Sequence, residues 1–140
     1  MLDNEHLIEL YRVMALTRAI DNRLWQMNRQ GKTPFAVPCA GHEAAGAGYA
    51  FALTRGKDFL APHYRDVAAL LVFGMTPAEV FMHALARRAD PSSAGRQMYA
   101  HWGDHRHNIL SLSSPQPGHI THGVGVALAS KLRGEDAVTL

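Results

Sequence analysis

The stretch Gly41 to Leu53, "GHEAAGAGYAFAL", constrains the fold more than any other part of the chain. Its run Ala44, Ala45, Gly46, Ala47, Gly48 is poor material for a free surface helix, because Gly costs about 1 kcal/mol relative to Ala in a helix interior. Two glycines so close together suit a helix pressed against another backbone, in this chain or in a second subunit. The fold must supply that neighbour.

Around this stretch the pattern reads as one domain, since 140 residues suffice for a single sizeable core. From Asp3 as N-cap, apolar Leu7, Leu10, Tyr11, Met14, Leu24, Trp25 and Met27 fall mostly on one face of a long helix that stops at Gln30-Gly31. Lys32 to Gly41, with Pro34 and Pro38, reads as a loop. The apolar piece Phe59-Leu60-Ala61 precedes "HYRD" and a compact helix ending near Gly74. Thr76-Pro77-Ala78-Glu79 then opens a helix with a capping box, expected to run to Ala89.

Pro91 to Asn108 is a loop long enough to suggest a functional role. Ile109 to Leu112 reads as a strand, "HITHGVGVALASKL" as a helix, and the final "DAVTL" as the opening of a buried strand. Helices alternating with short apolar strands indicate an α/β domain.

Composition excludes several classes. A 47% hydrophobic and 19% charged chain is neither a disordered tail nor a membrane span. The polar start "MLDNEH" is unlike a signal peptide, so a cytoplasmic location is expected. Net charge is +2 and the basic residues are scattered, which argues against a nucleic-acid partner. Cys39 is the single cysteine and reads as a small buried hydrophobe rather than a nucleophile.

Three clusters carry chemistry. In "AHWGDHRHN", His101, His105 and His107 could ligate zinc if the loop folded back, with Asp104 near, although the spacing matches no standard zinc hydrolase. His63-Tyr64-Arg65-Asp66 is either an anion site at a helix start or a solvated charge pair, and the local sequence leaves both open. Ser113-Ser114, before Pro115, could present hydroxyls to a ligand; no nucleophile elbow surrounds them.

Taken in order, "GHEAAGAGYAFAL", "HYRD", "ADPSSAGRQMYAHWG" and "LSLSSP" resemble the alpha subunit of the thiamine-diphosphate-dependent 2-oxo acid dehydrogenase first component, closest to the branched-chain, 2-oxoisovalerate type. The likeness runs from Tyr11 to Leu140. It implies that residues 1–140 are the N-terminal portion of a thiamine-diphosphate-binding fold with a parallel sheet, cut short, preceded by a helical segment at 1–30. It also implies oxidative decarboxylation of a 2-oxo acid, with acyl transfer to a lipoyl-bearing acyltransferase core. The partners would be a beta subunit and further alpha subunits.

By the same resemblance, Tyr64 and Arg65 hold the diphosphate, Ser114 sits beside the aminopyrimidine, and Gln116 supports that ring where relatives carry an aliphatic side chain. His101 matches a histidine near the cofactor channel and is the candidate catalytic residue, while His105 and His107 become polar loop residues. Ser113, Pro115, Gly118 and His119 fall where some relatives bind a monovalent cation. The family's magnesium motif begins with Gly-Asp-Gly just beyond Leu140, so magnesium ligands are not expected within these residues. The alternatives are a subunit-interaction piece that binds no cofactor and a pyruvate- or acetoin-type alpha subunit.

Overall fold

A computed structural model describes residues 3–140. Helix α1 spans Asn4–Arg29, capped by the Asp3 carboxylate, which accepts from the His6 backbone N–H at 2.9 Å. Its buried stripe is Val13, Thr17, Ile20, Asp21 and Leu24, spaced by three and four as a docked helix requires. This shifts the expected face. Leu7 and Tyr11 stand 50% and 71% exposed, whereas Val13, with Leu10 and Met14 beside it, packs against Ala47 and Ala68.

Helix α2, Glu43–Phe51, packs on α1 and on α3, Val67–Phe73. Here the small-residue stretch finds its neighbour. A Cβ on Gly46 would lie 3.1 Å from the Ala68 Cβ and 3.4 Å from the Ala69 backbone nitrogen. The neighbour is therefore α3 of the same chain; Ala44, Ala45 and Gly48, on the far side of α2, are exposed. Buried Glu43 ties α2 to α1 by accepting from Arg18 Nε at 2.5 Å.

Helix α4, Pro77–Ala84, opens with the expected Thr76–Glu79 capping box but ends five residues before Ala89. Ala86, in left-handed backbone at φ 49°, closes it. The Arg87 N–H reaches the Met82 carbonyl and the Ala86 N–H reaches the His83 carbonyl, the pairing of a Schellman stop. After a single 3-10 turn at His105–His107 comes α5, Gly118–Arg133, ended by Gly134 at φ 70°.

The expected α/β parallel sheet is not formed among the described residues, which are mostly helical and contain no strand. Phe59 and Leu60 lie between two parallel neighbours, bridging to Thr139 on one side and Ile109 on the other. On the Ile109 side, Pro62 stands where the next N–H would be needed and has none to extend the ladder. "DAVTL" is also not buried as expected, for Val138 is 54% and Leu140 49% exposed. The core lies instead between α3, α4 and the segment Tyr99 to Leu112, with Phe73, Leu70, Leu60 and Trp102 at its centre. No helix among the described residues is long and apolar enough to cross a membrane.

Candidate functional site

The "HYRD" turn is built by its own polar groups. His63 N–H donates to the Asp66 carboxylate at 2.6 Å, and the Arg65 backbone N–H donates to His63 Nδ1 at 3.2 Å. Burial, together with nearby His119, His42 and Arg65, holds His63 below the usual imidazole range, against the pull of Asp66. The Arg65 guanidinium lies 5.3 Å from the centre of the Tyr64 ring and donates one N–H to the Pro38 carbonyl. Its other guanidinium hydrogens have no hydrogen bond among the described residues.

Facing this turn is the end of the long loop. His101 Nδ1 is 3.2 Å from the Met98 carbonyl, and its Nε2 is 2.8 Å from the Ser114 hydroxyl. A carbonyl can only accept, so in the neutral ring Nδ1 carries the hydrogen and Nε2 accepts from Ser114.

A cavity of about 370 Å³ brings these pieces together. It is lined by Tyr64 and Arg65, by His101 and Ser114, and by an apolar wall that includes Phe35, Val37, Pro38, Met98 and Tyr99. Four of the five residues singled out from the sequence thus meet, from three separate parts of the chain. Gln116 does not join them; it is exposed and lies off the cavity wall.

The site has the character of a mixed pocket: a cationic and hydroxyl-bearing side for an anion or polar ring, and an apolar side for a hydrophobic body. A group such as thiamine diphosphate, with a diphosphate and two rings, fits that donor set. No group of three or more His, Cys, Asp or Glu able to hold a metal ion occurs among the described residues.

The zinc arrangement is not assembled. His101 bonds to Ser114, His107 donates Nδ1–H to Asp104 at 2.9 Å, and His105 is exposed. His119, from the monovalent-cation positions, lies in a different cavity, of about 440 Å³, beside His63, Asp66 and Thr139. Burial pushes the Cys39 thiol up to about 12, as suits a buried, unreactive side chain.

Sequence reasoning missed two groups here. His83 and Asp90, both with fully buried side chains, pair at 2.9 Å behind the loop. The available signal was His83 standing three residues after Val80 and beside Ala84, on the apolar face of α4.

Residues 11–140 match the family described as Dehydrogenase E1 component. Over 135 residues the chain is 44% identical to 2-oxoisovalerate dehydrogenase subunit alpha of Bacillus subtilis (strain 168), covering 96% of this chain and 41% of that protein. It is 31% identical over 139 residues to the mitochondrial 2-oxoisovalerate dehydrogenase subunit alpha of Homo sapiens, covering 99% and 31%. It is 35% identical over 142 residues to the pyruvate dehydrogenase E1 component subunit alpha of Bacillus cereus, covering 99% and 34%. The chain spans about two fifths or less of the length of these relatives.

Proposed function

This chain belongs to the dehydrogenase E1 component family, and from that premise we propose that it supplies one wall of a thiamine-diphosphate site in a 2-oxo acid dehydrogenase, branched-chain type favoured. The reading is supported most by one observation, the convergence of Tyr64, Arg65, His101 and Ser114 on a single cavity. The favoured oxo acid follows the 44% identity to a 2-oxoisovalerate dehydrogenase subunit. A pyruvate-type substrate is the nearest rival, on the likeness to the Bacillus cereus protein.

Thiamine diphosphate, when bound, supplies an electron sink for loss of carbon dioxide from a 2-oxo acid. The residues of this chain bind and orient. Arg65 offers its unengaged N–H groups to the diphosphate, a charge-assisted contact, and Tyr64 lines the same side. Ser114 and His101 form a hydrogen-bonded pair in which the imidazole holds the hydroxyl proton toward Nε2 and can exchange it. Gln116 is placed to meet a ligand only if its loop turns inward on binding. The remaining groups, including magnesium ligands and the lipoyl-bearing acyl acceptor, are assigned to other parts of the assembly, with a beta-type subunit as partner.

Calorimetric titration with thiamine diphosphate and magnesium, on the chain together with a beta-type subunit, tests this. Arg65→Ala should weaken binding by about 1.5–3 kcal/mol, the scale of a lost charge-assisted hydrogen bond. Unchanged affinity would contradict the assignment. A second reading, a subunit-contact piece that binds no cofactor, is favoured by the exposed apolar stripe Ile120, Val124, Leu128 and Leu132 on α5. Absence of any heat with the native residues would favour it.

A further inference from the structure

The loop that carries His101 starts from a buried acid. Asp90 Oδ1 accepts from the Ser92 N–H at 3.0 Å. Its Oδ2 accepts from His83 Nδ1 at 2.9 Å, the Ser93 N–H at 3.1 Å, the Ser93 hydroxyl at 2.9 Å and the Gly95 N–H at 3.3 Å. A carboxylate only accepts, so His83 Nδ1 carries the hydrogen. Burial opposes ionisation of Asp90, but the bonds from His83, Ser92 and Ser93 prevail and hold its carboxyl below the usual range.

Two routes lead from this pair to the cavity. Along the loop, the Ser93 hydroxyl oxygen accepts from the backbone N–H of Arg96 at 3.1 Å and of Gln97 at 3.0 Å. Next in line is Met98, whose carbonyl receives both the backbone N–H and Nδ1–H of His101. Across the core, the His83 ring lies 4.8 Å from the Trp102 ring, whose indole N–H reaches the Tyr64 carbonyl at 3.4 Å.

The backbone between is strained. Ala94 and Ala100 adopt φ 53° and 72°, a left-handed conformation that costs about 1–2 kcal/mol for a residue with a Cβ. Such residues persist where the surroundings over-determine them. Gly95, at φ 77°, lets the loop lie against the end of α4, since a Cβ there would fall 2.4 Å from the Ala86 carbonyl oxygen.

We propose that the His83–Asp90 pair is the positioning element of the cavity: without touching it, the pair fixes the loop so that His101 keeps Nδ1–H on Met98 and turns Nε2 to Ser114. The functional meaning of this rests on His101 belonging to the site proposed above, whereas the positioning itself does not.

Long-range proton–nitrogen NMR of the full chain, labelled with 15N at histidine and held at pH 8, reads the tautomer directly. The native chain should show His101 with a protonated Nδ1 and an unprotonated Nε2. His83→Phe keeps a ring against Trp102 but removes the donor, and Asp90→Asn removes the charge; both should make the two His101 nitrogens move toward averaged shifts. Retention of the native tautomer in a folded His83→Phe or Asp90→Asn chain would overturn the proposal. Should either buried change prevent folding, Ser93→Ala cuts the same relay from a half-buried position, and an unmoved His101 there overturns it equally. Thiamine diphosphate affinity separates the two readings: a roughly tenfold loss, as for one supporting hydrogen bond, joins positioning to function. A shifted tautomer with unchanged affinity keeps the positioning and removes His101 from the site.

Discussion

The irregular segment Asp90 to Leu112 and the regular helix α5 reverse the usual relation between order and burial. The first has only one 3-10 turn, yet it buries Tyr99, Ala100, Trp102, Gly103, Asp104, Ile109 and Leu112. The second is sixteen residues of unbroken helix and buries only Ser130. A helix satisfies its backbone internally and needs no neighbour for that, whereas a buried loop must find partners for each polar group elsewhere. The loop finds them in Asp90 and Asp104, two buried carboxylates that between them bind most of its turns.

The difference should appear most strongly in truncations. Trp102→Ala should cost about 3–5 kcal/mol, because it empties a fully buried site at the centre of the core. Leu128→Ala on α5, 54% exposed, should stay within about 0.5 kcal/mol. Urea midpoints of the two variants make the comparison, and a large loss at Leu128 would mean that this face of α5 is covered in solution.

Acid should attack the loop before the helix. Burial raises the pKa of Asp104, but bonds from Arg106 and His107 outweigh it and hold the carboxyl down to about 2, against an ordinary 3.8. A depressed folded pKa gives stability that is complete above the ordinary value and lost as pH falls through about 2. The contribution is on the order of 2 kcal/mol. Between pH 5 and pH 2 the urea midpoint should fall, and Asp104→Asn should flatten that fall; an equal slope in the variant would remove Asp104 from the account.

The smallest expected effect is a gain. Ala100→Gly relieves left-handed strain at φ 72° and should stabilise the chain by up to about 1 kcal/mol. If the strain holds His101 in place, the same change should loosen the His101 tautomer. A stabilised chain with an unchanged His101 would show that the strain is incidental to the site.

Legibility followed the range of the interactions. Asp3, the Thr76–Glu79 box and Gly74 act within a few residues, and each helix end they mark is where the local sequence puts it. The end of α4 was hidden because its left-handed residue is Ala86, which has no intrinsic preference for that conformation. Tyr64, Arg65, His101 and Ser114 were named by resemblance of ordered motifs, and the structure adds that they share a cavity. Gln116 was named by the same route and stands apart from them.

By itself, then, the sequence determined the helix starts, the need for a close neighbour at Gly46 and the family. Only the tertiary structure decided that the neighbour is α3, that Val13 rather than Tyr11 faces the core, that the short apolar pieces meet as isolated bridges, and that His83 joins Asp90. Capping and turn chemistry are settled by bonds between residues three or four apart. Which face is buried, and which distant acid a histidine meets, depends on how whole elements dock, and no short window of residues contains that information.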